Sequence, residues 1–360
     1  MKKHISLRKL PSVLFMAVMF GTVFGFALGF NPLPFICGLI GLAFIPAQFL
    51  PLGAFGMAIQ KEIWTSDIAG SIFPDDSFMS KSVDASEYVV GTVVHKPQAG
   101  APGNVVKNRS SFPASIGTRT DTINDYSIAE YTTDPIRISN ADTVELTYDK
   151  RNSILMEEKL NLNLRVAKEM LYNWLFGINT SFIIPTTGAA VTATAPGATG
   201  TRKAALITDL QTARTALHAQ GRWVDGQMYA LIPSNMVPQL FPADSVVTAT
   251  YMGLVSEEER RNGIIAKVQG FNIMERSSGA IYTGTTLAAV NAAGAATDCE
   301  AIVCWYAQSV ERALGDVIAF ENIGDPTFYG DIYSFLVRAG GSRSRTDGKG
   351  LVVIRQAIVS

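Results

Sequence analysis

The sequence predicts a mixed α+β fold. Three observations carry that expectation. Residues 153–177 form one long amphipathic helical stretch, and the segments on both sides are β-rich yet too short to stand as separate domains. Residues 205–318 then alternate short helical patterns with short apolar strands, as expected for helices laid against a small sheet. The long helix is read as a spine with sheets against it. Leu160, Leu164, Ala167, Leu171 and Trp174 recur at i, i+4, i+7, i+11 and i+14, one stripe of a 3.6-residue helix. Arg165 and Glu169 are spaced for an i, i+4 ion pair, and Gly177 is a natural stop.

Composition narrows the function classes. The 360 residues are close to neutral, with 30 Lys and Arg against 31 Asp and Glu, so there is no large basic field for nucleic acid to follow. Three cysteines, Cys37, Cys299 and Cys304, argue against a disulfide framework or zinc site. The only histidines are His4, His95 and His218.

Residues 1–60 are expected to be an apolar segment that is inserted into a membrane, buried or processed. Leu10 to Gln60 holds no Asp, Glu, Lys, Arg or His, and Lys2, Lys3, Arg8 and Lys9 precede it. Leu10 to Phe30 reaches the roughly 20 residues that a bilayer needs, and a second run, Phe35 to Ile59, follows. Gly21, Gly25 and Gly29 repeat a small-residue face that permits close helix packing. Basic residues before the first run favour a membrane hairpin with both ends cytoplasmic. Burial at a subunit interface or under a shell competes with this, and a signal peptide fits poorly because a second apolar run follows.

Residues 61–86 read as an extended arm with a short helix near Glu62 to Ala69. Glu87 to His95 is β-branched and reads as one strand ending at Lys96-Pro97. The Gly-, Pro-, Ser- and Asn-rich span Gln98 to Asn124 carries Lys107, Arg109 and Arg119, and extended structure resumes at Tyr126 to Tyr131 and Pro135 to Ser139. Together residues 87–140 make a two-stranded arm with an irregular tip, too thin to be stable alone and so expected to lie on a neighbouring subunit. Asp134, Asp142, Glu145 and Asp149 have no spacing that makes a metal ligand set.

Thr186 to Thr201 reads as a mobile loop. Thr208 and Gln211 have capping-box spacing before the face Leu210, Ala213, Ala216 and Leu217, and Ser256 and Glu259 repeat that spacing. Met228 to Ile232 and Ala301 to Tyr306 read as buried strands, Asn235 to Phe241 as a short helix, and Gln269-Gly270 as a hairpin turn. His218 reads as a surface residue. No phosphate-binding glycine loop, nucleophile elbow or zinc motif appears, and Ser234, Ser277 and Ser278 lack partners for a triad, so no enzyme activity and no cofactor are expected.

Near the end, Asp325-Pro326-Thr327-Phe328-Tyr329-Gly330-Asp331-Ile332-Tyr333-Ser334-Phe335-Leu336-Val337-Arg338 leads to Gly340-Gly341-Ser342-Arg343-Ser344-Arg345 and a terminal strand, Gly350 to Gln356. This reads as two long strands joined by a polar turn at Asp347 to Gly350. The segment, with its basic turn and apolar last strand, resembles the end of tailed-phage major capsid proteins. The run Val94 to Gly100 through Lys107-Asn108-Arg109-Ser110-Ser111 resembles the extended loop of capsid proteins from prophages of Bacteroidetes-type bacteria. The resemblance covers residues 60 to 356.

It implies the Hong Kong 97 fold, divided as a 61–86 N-terminal arm, an 87–140 extended loop, a 141–204 and 319–360 peripheral domain with spine helix 153–177, and a 205–318 axial domain. It further implies a structural subunit forming the hexamers and pentamers of an icosahedral shell around double-stranded DNA. Implied partners are further copies of itself, portal, decoration or scaffolding proteins, non-specifically packaged DNA, and a membrane touched transiently through residues 1–60. The implied location is the virion capsid, assembled in the bacterial cytoplasm or at the inner membrane. Assembly contacts are expected at His95, Lys107, Arg109 and Arg119 in the loop and at Tyr329, Asp331, Tyr333 and Arg338 in the return strands. The apolar 1–60 segment departs from the charged scaffolding region of many relatives. Two other classes remain open, an encapsulin-like compartment and a membrane-anchored surface or binding protein.

Overall fold

The computed structural model describes residues 65–66, 68–74, 77–100, 103–114, 116–139, 150–243 and 245–359, with only the backbone of 150–155 and of Val247. The expectations for residues 1–60, for Gly21, Gly25, Gly29 and Cys37, and for Asp142, Glu145 and Asp149 lie outside the described residues.

Residues from Thr65 onward pack as one unit. In chain order its elements begin with β1 (Val83–Asp84), β2 (Val89–Val90), β3 (Val93–Gln98), β4 (Thr122–Ser127), β5 (Ala129–Thr132) and β6 (Ile136–Ser139). Helix α1 (Lys150–Leu175) is followed by β7 (Ile183–Pro185), β8 (Ala190–Thr192) and β9 (Thr201–Lys203). Next come α2 (Ile207–Ala219), β10 (Met228–Pro233), α3 (Val237–Leu240), α4 (Val246–Gly253) and α5 (Glu257–Arg261). The chain continues with β11 (Ile264–Val268), β12 (Phe271–Arg276), β13 (Ala280–Thr283), β14 (Thr286–Leu287) and β15 (Asp298–Tyr306). It closes on β16 (Val310–Asp325), β17 (Gly330–Arg343) and β18 (Leu351–Arg355).

The larger sheet runs β11-β12-β10-β15-β13-β14, and β18 pairs with both β15 and β7. Every residue of β15 except its last is buried, as expected of a central strand written Asp-Cys-Glu-Ala-Ile-Val-Cys-Trp-Tyr. Helix α2 presses Leu210, Ala213 and Leu217 onto Ala230, Ile232, Ile273, Ile302 and Ile354. Full burial of each such aliphatic side chain contributes roughly 1.5–3 kcal/mol.

The second sheet runs β1-β16-β17-β5, with β6 also on β17. Its centre is the long β16–β17 hairpin, which pairs Val310 with Arg343 at one end and Asp325 with Gly330 at the other. Helix α1 lies on this hairpin so closely that a Cβ on Gly341 would stand 3.0 Å from Met170 Cγ and 3.2 Å from Trp174 Nε1. An aromatic junction joins the two halves. Trp174 and Trp305 have ring centroids 5.8 Å apart, and Phe78 meets Trp174 edge-on at 5.5 Å. Each indole N–H has a carbonyl, Trp174 donating to Glu311 at 3.0 Å and Trp305 to Lys81 at 2.9 Å.

Several expectations need correction. The buried face of α1 is Leu162, Val166, Ala167, Met170, Leu171, Trp174 and Leu175, whereas Leu160 is 63% exposed and Leu164 51%. The period gives the stripe; the fold decides how far along the helix it is covered, since Ala167, Leu171 and Trp174 on that stripe are buried. Glu87 to His95 is two strands, because Gly91 at φ +66° turns the chain back so that Val90 pairs with Val93. Strand β3 also runs past Pro97 to Gln98. Helix α2 starts before Thr208. Its third residue, Asp209, accepts the Leu206 N–H at 2.9 Å, together with the Thr187 hydroxyl at 2.6 Å.

Thr186 to Thr201 is not a plain loop, since β8 and β9 pair within it. The fully enclosed Arg202 guanidinium donates to the carbonyls of Thr199, Thr201, Ala296 and Asp298. Strand β17 and the terminal β18 sit in different sheets; the partner of β17 is β16, which the sequence reading did not isolate. Strand β16 runs through residue 318, and β18 joins the sheet of β10 and β15, so pairing crosses the expected 318/319 boundary.

Candidate assembly surface

The hairpin β3–β4 leaves the body as a narrow ribbon, paired from Val93–Ser127 to Gln98–Thr122. Three side chains tie its base down. Lys96 Nζ lies 2.6 Å from Glu311 Oε1 on β16, Asn124 donates to the Arg343 carbonyl at 2.8 Å, and Gln98 accepts the Thr346 N–H at 3.3 Å. The Glu311 side chain is fully enclosed, and its Oε2 has no hydrogen-bond partner. Half-buried Tyr126, whose enclosed hydroxyl is likewise unpartnered, is pushed well above the usual phenol range by burial and by the Glu311 charge.

Beyond the base the ribbon closes on itself. Asp121 accepts the Gly100 N–H at 2.8 Å and the Arg119 Nε–H at 2.6 Å, and these hydrogen bonds hold its carboxyl below the usual range. Gly100 is required there, since a Cβ would lie 2.2 Å from the Thr120 carbonyl oxygen. The tip shows its apolar side chains to solvent, with Val105 93%, Phe112 78% and Ile116 98% exposed. Lone exposed apolar residues are ordinary; here several fall on one thin ribbon.

The eight expected contact residues separate into two groups. His95 pairs across the ribbon with Asp125 at 3.0 Å, Lys107 and Arg109 stand at the tip without an ion pair among the described residues, and Arg119 braces the tip. Tyr329 protrudes from the β16–β17 turn, 78% exposed at φ +48°. Asp331 and Tyr333 are buried within the subunit, where Asp331 accepts the Gly324 N–H at 3.0 Å and the Tyr333 hydroxyl at 3.4 Å. Arg338 bridges Glu130 and Asp316 at 3.2 and 3.1 Å. The structure therefore gathers the loop residues on one ribbon and places Tyr329 on a separate projection.

A second exposed face was missed. Met156, Leu160 and Leu164 form an uncovered row along α1. On another side of the helix is a polar groove between α1 and β5, lined by Glu130, Asp134, Glu158 and Glu169, with Arg165. Burial, with Asp134 and Glu157 nearby, raises the Glu158 carboxyl above its ordinary value. The sequence signal of the exposed row is the four-residue spacing of Met156, Leu160 and Leu164, the last two of which belong to the expected stripe.

No protein-family model and no curated protein matches the chain. Among solved structures it is similar to the capsid of Ralstonia phage GP4, at 10% identity and a TM-score of 0.56, over 77% of this chain and 86% of that one. It is also similar to the cyanophage Pam1 capsid, at 12% identity and a TM-score of 0.51, over 76% and 88%. The chain has a phage capsid-protein fold.

Proposed function

We propose that the chain is a structural, non-enzymatic subunit of a phage shell, self-assembling into hexamers and pentamers that enclose double-stranded DNA. The observation that carries this reading is the ribbon on a capsid fold. Its tip buries almost nothing on its own subunit, yet it is pinned at the base by a buried ion pair. Such an element gains stability only by lying on another copy, and head-to-tail contacts of this kind close into rings.

The basic tip carrying Lys107 and Arg109 complements the acidic groove of a neighbour. His95, Arg119, Tyr329 and Arg338 would support the same contacts, while Asp331 and Tyr333 would act by holding the Tyr329 turn. The division into arm, extended loop, peripheral domain and axial domain belongs to this proposal. So do a virion location, assembly in the host cytoplasm or at its membrane, and portal, decoration or scaffolding partners.

Negative-stain electron microscopy of the full-length protein and of residues 61–360 tests the reading. Closed shells or capsomer rings are expected from at least one of them. Only monomers and small oligomers from both, over a range of concentration and salt, would overturn it.

A further inference from the structure

A cavity of about 210 Å³ lies where the second half of α1 meets β12, β13 and the 288–294 loop. Its walls are mostly apolar and come from Leu171, Tyr172, Ile281, Leu287 and Val290. Two cations reach it, Lys168 from α1 and Arg276 from the end of β12. Neither forms an ion pair with any described residue. Arg165, Arg312, Arg338 and Arg345, by contrast, each face a carboxylate.

Arg276 makes one long hydrogen bond, to the Leu164 carbonyl at 3.4 Å, and stacks over the Phe78 ring at 5.4 Å. Burial alone pushes it down to about 10. A guanidinium has five N–H donors in a planar fork that matches a carboxylate, and here most of that fork is unused. The one acid on the wall, Asp298, is already occupied by the Thr283 hydroxyl at 2.5 Å and the Ala295 N–H at 2.8 Å. A small apolar cleft with a few convergent polar groups is the usual form of a small-ligand site.

We propose that this pocket binds a carboxylate carried on a compact apolar stem, with Arg276 as the anchoring cation, Lys168 as a second positive charge, and the Leu171, Ile281 and Val290 walls enclosing the stem. The ligand chemistry has two sources, a free small-molecule carboxylate or an Asp or Glu side chain of a second copy.

The test is calorimetric titration of the full-length chain with benzoate and with benzamide, its uncharged counterpart. Benzoate binds saturably, and benzamide binds at least tenfold more weakly. Arg276→Gln weakens benzoate at least tenfold, and Lys168→Gln, on an exposed helix face, weakens it about threefold. Should Arg276→Gln not fold, Lys168→Gln together with the pocket-filling Ala289→Phe decides the matter. Equal binding of benzamide and benzoate, or unchanged benzoate affinity in the variants, overturns the proposal. Repeating the titration on assembled shells separates the sources. Retained binding points to a free carboxylate, and lost binding to a side chain from a second copy. The titration of unassembled protein does not depend on shell formation, so failure of the pocket and failure of the shell reading are distinct.

Discussion

Replacing Lys96 with methionine removes the cation that faces Glu311 and keeps the length of the stem. The Nζ–Oε1 separation is 2.6 Å, and the Glu311 side chain is completely enclosed while that of Lys96 is a quarter exposed. At an effective dielectric of about 20, the attraction at that distance is roughly 6 kcal/mol. Desolvation of the carboxylate offsets about half of it, and breaking a buried pair typically costs about 3–5 kcal/mol. Because Lys96 reaches partly into water, the expected loss for Lys96→Met is about 3 kcal/mol, measured by urea unfolding at pH 7.

Glu311→Leu combined with Lys96→Met restores most of this, because the uncompensated charge is then gone. A single variant within 0.5 kcal/mol of the parent, or a double variant whose loss equals the sum of its parts, would refute this account of the ribbon's anchor.

Arg109→Glu should impair assembly and leave subunit solubility unchanged; intact shells at normal yield in electron micrographs would remove Arg109 from the contact. Arg202→Met leaves the carbonyls of Thr199, Thr201, Ala296 and Asp298 short of a donor. A loss above about 3 kcal/mol is expected, at about 1–3 kcal/mol for each unsatisfied buried group, with protease cleavage opening first in residues 193–200. Glu259 is held down to about 2 by the Lys267 side chain and the Ser256 N–H. Its contribution to stability is therefore present above the ordinary carboxylate range and is lost as pH falls through about 2. Carbon-detected NMR should show that titration move up towards the ordinary glutamate value in Lys267→Met.

Much of the fold was legible where local chemistry and tertiary packing agree. The Gln269-Gly270 turn carries two positive φ values, +53° and +84°, as such a hairpin requires. The Ser256–Glu259 capping box closes with bonds at 3.0 and 3.3 Å. The strand holding Cys299 and Cys304 sits at the centre of its sheet. Legibility failed where a distant group decides. Asp209 outcompetes the Thr208–Gln211 spacing because Thr187 comes from another element to share its carboxylate. Arg202 orders a loop whose own composition reads as mobile. Leu160 and Leu164 fit the helical period and share the stripe of Ala167, Leu171 and Trp174, but packing covers that stripe only over the later turns of the helix.

The candidate contact residues were legible as charges in a long loop. The acids of the groove were not, because β5 and α1 are separated in sequence and meet only through the fold. The pocket at Arg276 had no sequence signal, since its walls come from elements far apart in the chain.

The contact at Gly341 has a mechanical consequence. On the face of β17 that meets α1, the neighbours two residues away are Ala339 and Arg343, both with side chains. A Cβ on Gly341 would stand 2.4 Å from the Glu311 carbonyl oxygen and press tightly on Met170 and Trp174. Sliding the helix along the strand by one repeat would drive a methyl or a guanidinium stem into that gap. The helix is thus keyed to the hairpin at a single position, like a bolt in a notch. Bending of the subunit has to occur elsewhere, and the Gly91 turn beside the ribbon base, with open space around its α-carbon, is where the chain has room to yield.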